Sequence, residues 1–224
     1  MDNIREAARQ IANNSLAKGE PLAWFEELYA KAGSDGVMIP WADLIPNPNL
    51  LILFEKIKYL PFGKAALTVG CGYGDDAEWL CEQGFEVTAF DISKSAISEC
   101  NRRFADSQVN YCTQDLFNAP RHWKNMFDLV LESYTLQVLP YKLRLDAIKQ
   151  ICSFVKPHGY LLFIARARSD SEPIGNMPWP LTVEEVECFE KEGFEKVFFE
   201  EYMDGETSPV KRFRGCFKKI ERMI

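Results

Sequence analysis

Three glycines at alternate positions, Gly70, Gly72 and Gly74, stand where the apolar run 65–70 gives way to a helical pattern at 75–83. Glycine is required where a ligand must approach the backbone closely or where the chain takes positive φ. The helix that follows aims its N-terminus at such a ligand. A dinucleotide fingerprint, G-x-G-x-x-G, would place its third glycine at Asp75. A carboxylate there opposes a pyrophosphate and suits a zwitterionic or cationic ligand. The next apolar run ends in Phe90-Asp91-Ile92-Ser93. A carboxylate at that tip can accept both hydroxyl hydrogens of a ribose; the alternative is a partner for the N-terminus of the next helix. At the third tip, Asp115 can accept from an adenine amino group while Leu116 packs on the ring, or Asp115 is an ordinary turn residue. At the fourth, Glu132-Ser133-Tyr134 falls at the centre of the carboxyl edge. Glu132 there can hold an ammonium group, and a buried Glu requires a cationic partner.

These tips need a frame, and the pattern supplies one. Strands at 65–70, 86–91, 109–113, 127–131 and 160–165 alternate with helices at 75–83, 93–104 and 141–155. Such alternation specifies a parallel sheet with right-handed crossovers. After it come a proline-containing loop (172–180) and a helix at 182–192 opened by a Thr182/Glu185 capping box. Strands at 194–200 and 212–220 follow, joined by a connection too short for a helix. The expectation is an α/β, doubly wound, seven-stranded, mostly parallel sheet with an antiparallel C-terminal edge hairpin. Residues 1–62 read as an N-terminal helical cap, with turns at 33–36 and 46–48 and Asn47 capping a helix with Pro48 at its first position. Residues 63–224 read as a Rossmann-like domain that forms one compact unit with the cap. Arg212, Arg214 and Lys218 alternate along the last strand and read as solvent-facing.

The 224 residues are 47% hydrophobic and 26% charged, with a net charge of −7. That balance disfavours a nucleic-acid partner, which wants a basic face. No apolar run reaches membrane-spanning length, and the charged N-terminus carries no signal core. Seven cysteines without a CxxC pair or zinc spacing read as reduced core thiols. The expectation is a soluble, cytoplasmic protein with no metal site and an unspecified oligomeric state.

Taken together, the glycine turn with Asp75 and Asp91 favours a nucleoside–methionine ligand over NAD. The set Val69-Gly70-Cys71-Gly72-Tyr73-Gly74, Asp91-Ile92-Ser93, Gln114-Asp115-Leu116, Phe127-Asp128-Leu129-Val130 and Val155-Lys156-Pro157-His158-Gly159 resembles the class I (Rossmann-like) methyltransferases over residues 65–166. Within them, Gly70-Cys71-Gly72-x-Gly74-x-Asp76-Ala77 is similar to the thiopurine/thiol/halide methyltransferase group. The resemblance implies S-adenosyl-L-methionine as cofactor, contacted by Trp24, Trp41, Gly70, Cys71, Gly72, Gly74, Asp76, Asp91, Ile92, Asp115, Leu116 and Glu132. It also implies a substrate-side loop at Met177-Pro178-Trp179-Pro180. Two departures stand out: Thr68 replaces an acidic residue before the first glycine, and Met177 replaces a proline.

The implied reaction is methyl transfer to a small-molecule acceptor by in-line displacement, which mainly requires alignment and exclusion of water. Of two histidines, His122 precedes strand four and His158 precedes strand five, so both fall on the amino edge. With no histidine base at the carboxyl edge, a soft acceptor such as a thiol or halide is favoured. Tyr134, Arg166 and Trp179 are the substrate-side candidates, and Arg166 with Arg168 suits an anionic acceptor. The competing reading is a non-catalytic S-adenosylmethionine-binding or regulatory protein.

Overall fold

The structure, a computed structural model, describes residues 2–32, 39–205 and 208–221. The turn expected at 33–36 lies outside the described residues. Three helices open the chain: α1 Asp2–Ala17, α2 Ala23–Ala32 and α3 Pro48–Ile57. Asn47 starts α3 as its sequence foretells, the side-chain oxygen accepting from the Asn49 N–H with Pro48 at the first helical position. Then follow β1 Ala65–Val69, α4 Asp75–Glu82, β2 Glu86–Asp91, α5 Lys94–Arg103, β3 Asn110–Thr113 and β4 Phe127–Ser133. The chain continues through α6 Tyr141–Phe154, β5 Val155–Arg166, the short helices α7 Val183–Val186 and α8 Cys188–Lys191, β6 Phe194–Met203 and β7 Lys211–Lys219.

The strands form one seven-stranded sheet in the order β3-β2-β1-β4-β5-β7-β6. Its first five strands pair in parallel, and β7 runs antiparallel to both β5 and β6. Strands β4 and β5 are continuous apolar runs because both faces are covered: Leu129, Val130, Leu131 and Leu161 through Ala165 are all 0% exposed. On one face Val130, Leu161 and Phe163 share a core with Ile148 and Ile151 of α6 and Phe189 of α8. On the other, Leu129, Leu131 and Leu162 share one with Leu50 and Leu53 of α3 and Leu80 of α4. A third cluster joins Ala8 and Ala12 of α1 and Trp24, Leu28 and Tyr29 of α2 to Ala96 of α5 and Met177.

Three local expectations change. Strand β5 begins at Val155, before the 157–159 turn, because the chain passes that turn with His158 at φ 65° and a register shift opposite Phe127 and Leu129, then pairs onward. The helix expected over 182–192 is two short ones. The capping box at Thr182 and Glu185 forms in full, but Glu187 closes the first turn at ψ −14° and a new turn starts at Cys188. Arg212 and Arg214 are buried, not solvent-facing, because β7 lies inside the sheet between β5 and β6. Arg212 pairs with Asp204 at 2.6 Å, and Arg214 pairs with Glu200 and stacks over the Tyr202 ring. Alternation along a strand defines a face but not what covers it.

Candidate active site

The turn between β1 and α4 is tightly enclosed by its own chain. Gly70, Gly72 and Gly74 have φ of 60°, 54° and 88°, where a side chain is strained. A Cβ on Gly70 would lie 2.5 Å from Thr135 Oγ1, and one on Gly74 would lie 2.5 Å from the Tyr111 hydroxyl. One on Gly72 would lie 3.0 Å from the Tyr29 hydroxyl. The glycines thus let the loop after β4, strand β3 and helix α2 close on the turn as well as leaving its backbone open to a ligand.

Asp91 sits at the β2 tip. Its Oδ2 accepts from Gly72 N at 3.0 Å and its Oδ1 from Ser93 N at 2.9 Å. Burial pushes its carboxyl up to about 6, against the pull of those backbone donors. Each oxygen still has acceptor capacity, which fits the ribose role, and Ile92 lies half-buried beside it. Ser93 caps α5, accepting from Ala96 N at 3.1 Å. Cys71 is half-buried, and Cys100 Sγ lies 3.2 Å from Gly72 O. The hydrogen bond with Cys100, then burial, holds the Cys71 thiol well above its ordinary value, so it stays protonated. All seven cysteines are free thiols.

Other carboxylates turn out to serve the protein's own frame. Asp75 does not await a cationic ligand; it forms a double hydrogen bond with Arg103, at 2.6 and 2.8 Å, while Arg103 also donates to Tyr73 O. Asp76 accepts from Asn47 N at 2.7 Å, tying α4 to the start of α3, and burial pushes it up to about 6. Asp115 caps a short turn, accepting from Phe117 N at 2.9 Å and Asn118 Nδ2 at 2.6 Å. Leu116 joins the core cluster that includes Phe90 and Trp123, so its side chain is not left open for an adenine ring. Glu132 is fully buried, and its Oε1 accepts from Thr135 N at 2.8 Å and Leu136 N at 2.7 Å. The direct cationic partner expected for it is replaced by those two backbone donors. Burial raises its carboxyl to about 8, with the two donors and then the more distant Arg144 pulling the other way. At neutral pH it therefore holds its proton. Its Oε2 is buried with no hydrogen-bond partner among the described residues, and so is Thr68 Oγ1 at the departing position of β1.

Trp24 is sealed in the helical layer at 1% exposure, whereas Trp41 is 39% exposed and donates to the Tyr29 hydroxyl at 3.0 Å. Of the pair, Trp41 is the one still open to a ligand. On the substrate side, Tyr134 adopts φ 64°, and its hydroxyl accepts from Asn49 Nδ2 at 3.0 Å and Arg212 Nη1 at 2.9 Å. Arg166 N donates to Gln137 Oε1 and Trp179 N to Gln137 O, both at 2.7 Å. Arg144 Nη2 donates to Trp179 O at 2.7 Å. Gln137, which belongs to neither motif, thus joins the loops after β4 and β5.

Four residues that no motif announced close the site: Glu26, Tyr29, Thr135 and Arg212. Glu26 of α2 accepts from Ser93 Oγ at 2.6 Å, Ser95 N at 3.1 Å and Ser95 Oγ at 2.8 Å. Burial works to raise its carboxyl, but the bonds from Ser93 and Ser95 hold it below the usual value. Nothing in the helical pattern around Glu26 distinguishes it from an ordinary surface glutamate of α2. His122 is exposed, and His158 stands 3.6 Å from Glu221 with its side chain 65% exposed. Among the described residues no group of three or more His, Cys, Asp or Glu is placed to hold a metal. No helix among them is long and apolar enough to cross a membrane.

Comparison with known proteins agrees with this geometry. Residues 66–159 match the family described as a methyltransferase domain. A thiopurine S-methyltransferase of Vibrio atlanticus is 24% identical over 58% of this chain and 65% of its own length. A ubiquinone biosynthesis O-methyltransferase of Vibrio vulnificus is 28% identical over 46% of this chain and 43% of its own length. The chain thus spans between 43% and 65% of the length of these curated relatives. The crystal structure of the Burkholderia thailandensis 1,6-didemethyltoxoflavin-N1-methyltransferase, with bound 1,6-didemethyltoxoflavin and S-adenosylhomocysteine, superimposes with a TM-score of 0.69. That likeness covers 88% of each chain at 16% identity. By its sheet order and this likeness, the chain has the fold of that methyltransferase, and residues 66–159 carry the matched methyltransferase-domain segment.

Proposed function

We propose that the chain transfers the methyl group of S-adenosyl-L-methionine to a small-molecule acceptor that arrives as a soft nucleophile, a thiol or one of similar character. The cofactor supplies a methyl on a sulfonium, and the acceptor's lone pair forms the new bond to carbon as the sulfur–carbon bond breaks in line. The observation that carries the soft-acceptor reading is the state of the groups around the carboxyl edge. Both histidines lie on the amino-edge side. Burial raises Tyr134 above its ordinary value and Glu132 to about 8, so both hold their protons at neutral pH. A protonated group is a poor general base, and a thiol needs the least help of the usual acceptors.

In this reading the backbone of Gly70–Gly74, with Cys71, lies against the nucleoside and methionine, and Asp91 accepts from the ribose hydroxyls, with Ile92 beside it. Trp41 covers the donor from the helical side. Residues 1–62 act as a cap over the sheet of 63–224, anchored through Glu26 and Asp76. Tyr134, Arg166 and Trp179 border the acceptor and keep water from it. Both the S-methyltransferase and the O-methyltransferase relatives support transfer to a small molecule; the protonation states above favour sulfur. The test is methyl transfer from labelled S-adenosylmethionine to thiophenol, phenol and aniline. Thiophenol is expected to be methylated fastest. Faster transfer to phenol would overturn the soft-acceptor reading, and cofactor binding without transfer to any acceptor would favour a non-catalytic binding protein.

A further inference from the structure

The fold uses only half of the side-chain amide of Gln137. This residue stands in the loop after β4 and is 6% exposed. Its Oε1 accepts from Arg166 N at 2.7 Å, at the end of β5. A backbone N–H can be met only by the oxygen of an amide. The Arg166 N–H therefore fixes which way the side chain is turned, and the Nε2 hydrogens lie on its other edge. Among the described residues Nε2 has no acceptor, yet it is not one of the unpartnered atoms sealed from solvent. Those are Thr68 Oγ1, Glu132 Oε2, Arg168 Nε and Arg214 Nη1. The Gln137 amide nitrogen is thus a donor that an incoming group can reach.

Its frame joins the two sides of the candidate site. Thr135 Oγ1 donates to Val69 O at 3.1 Å and would lie 2.5 Å from a Cβ on Gly70. Glu132 Oε1 accepts from Thr135 N and Leu136 N, which fastens the segment just before Gln137 to the tip of β4. On the acceptor side, Gln137 O accepts from Trp179 N at 2.7 Å, and Trp179 O accepts from Arg144 Nη2 at 2.7 Å. The amide is therefore held between the loop that rests on the glycine turn and the residues assigned to the acceptor. A thiol reacts as its thiolate, whose charge must leave water on entering the site. Hydrogen bonds to an ionised group are the strong ones, and a polar group that leaves water unpaired is costly.

We propose that Gln137 Nε2 is the hydrogen-bond donor for the acceptor sulfur, binding a thiol as its thiolate and aiming it at the methyl donor. The sulfur gives a lone pair to the methyl carbon, the bond from that carbon to the sulfonium sulfur breaks, and both charges cancel. The amide keeps its hydrogens throughout. The assignment to the acceptor rests on the methyl-transfer reading above. The test is calorimetric titration of the full chain at pH 8 with thiophenol and with thioanisole, whose sulfur is methylated and uncharged, each with and without S-adenosylhomocysteine. Thiophenol is expected to bind the more tightly. Gln137→Glu keeps an oxygen for Arg166 N and puts a second oxygen where the donors were. It is expected to lose about tenfold to a hundredfold in thiophenol affinity, with thioanisole and S-adenosylhomocysteine affinities unchanged. Gln137→Met, which loses the brace and the donors together, should lose the thiophenol preference as well. A residue that only braced Arg166 would be rescued by Gln137→Glu, so wild-type thiophenol affinity in that variant overturns the proposal. Equal losses for thiophenol and thioanisole, or no thiophenol binding by the wild type, also overturn it. Thiophenol binding of the expected pattern without methyl transfer from labelled S-adenosylmethionine removes the methyl-transfer reading and leaves the thiolate-binding role of Gln137 standing, so the two failures are told apart.

Discussion

Asp91 shows how one side chain serves both frame and ligand. It holds the glycine turn through Gly72 N and the start of α5 through Ser93 N, and it keeps lone pairs for hydroxyl donors. With its carboxyl pushed up to about 6 by burial, it is a charged acceptor above that pH and a half-spent one below. Affinity for S-adenosylhomocysteine is therefore expected to fall by up to about tenfold per pH unit on the acid side of 6. Calorimetry from pH 5 to pH 8 checks it, and Asp91→Asn should bind weakly with a flat profile. A wild-type profile that is flat over this range removes Asp91 from the ribose. The same scale explains why Asp75 was misread. The sequence places a carboxylate beside the glycines, but nothing local reveals that Arg103, one helix later, neutralises it at 2.6 Å.

At the scale of elements, α2 matters through a single contact. Helix α5 presents its N-terminal N–H groups and the Ser93 and Ser95 hydroxyls, and Glu26 accepts from them as an external cap. Glu26→Ala is expected to cost about 1 kcal/mol, lowering the melting temperature by about 2–4 °C, and to weaken cofactor binding because α5 follows directly on Asp91. Unchanged melting and unchanged binding would show that α2 is held by its apolar face alone. What was legible here follows the range of the signal. The glycine turn, Ser93, Asn47 and the Thr182/Glu185 box were readable because cap, turn and strand signals act within a few residues. The parallel sheet was readable because β4 and β5 are apolar without alternation. Glu26, Tyr29 and Arg212 were not, since each reaches the site from a segment with its own ordinary helix or strand pattern. Leu116 was placed on the ligand by its strand tip and Trp24 by resemblance, and packing puts both in core clusters.

At the scale of the molecule, burial raises the carboxyls of Asp76 and Asp91 to about 6 and that of Glu132 to about 8. A group whose folded value lies above its unfolded one stabilises the fold fully at low pH and loses that contribution as pH rises through the folded value. The ligand-free protein should therefore melt at a lower temperature at pH 8.5 than at pH 6, with a slope from Glu132 of at most about 1.4 kcal/mol per pH unit. Glu132→Gln, which keeps the size and stays neutral, should flatten the upper part of that slope. Thermal melts at the two pH values decide it; a wild-type melting temperature that rises between them would refute the burial argument.

The clasp between Arg9 and Met177 spans 168 residues, and those from Glu26 to Ser93 and Ser95 span 67 and 69. During synthesis the N-terminal portion of a chain emerges first and tends to fold first. Here α1 and α2 leave the ribosome with apolar stripes whose partners, Ala96 and Met177, do not yet exist. The helices written first are thus completed last, after the sheet they rest on. In the nascent chain their apolar stripes therefore stay unpaired until the sheet and the loop at Met177 have been made.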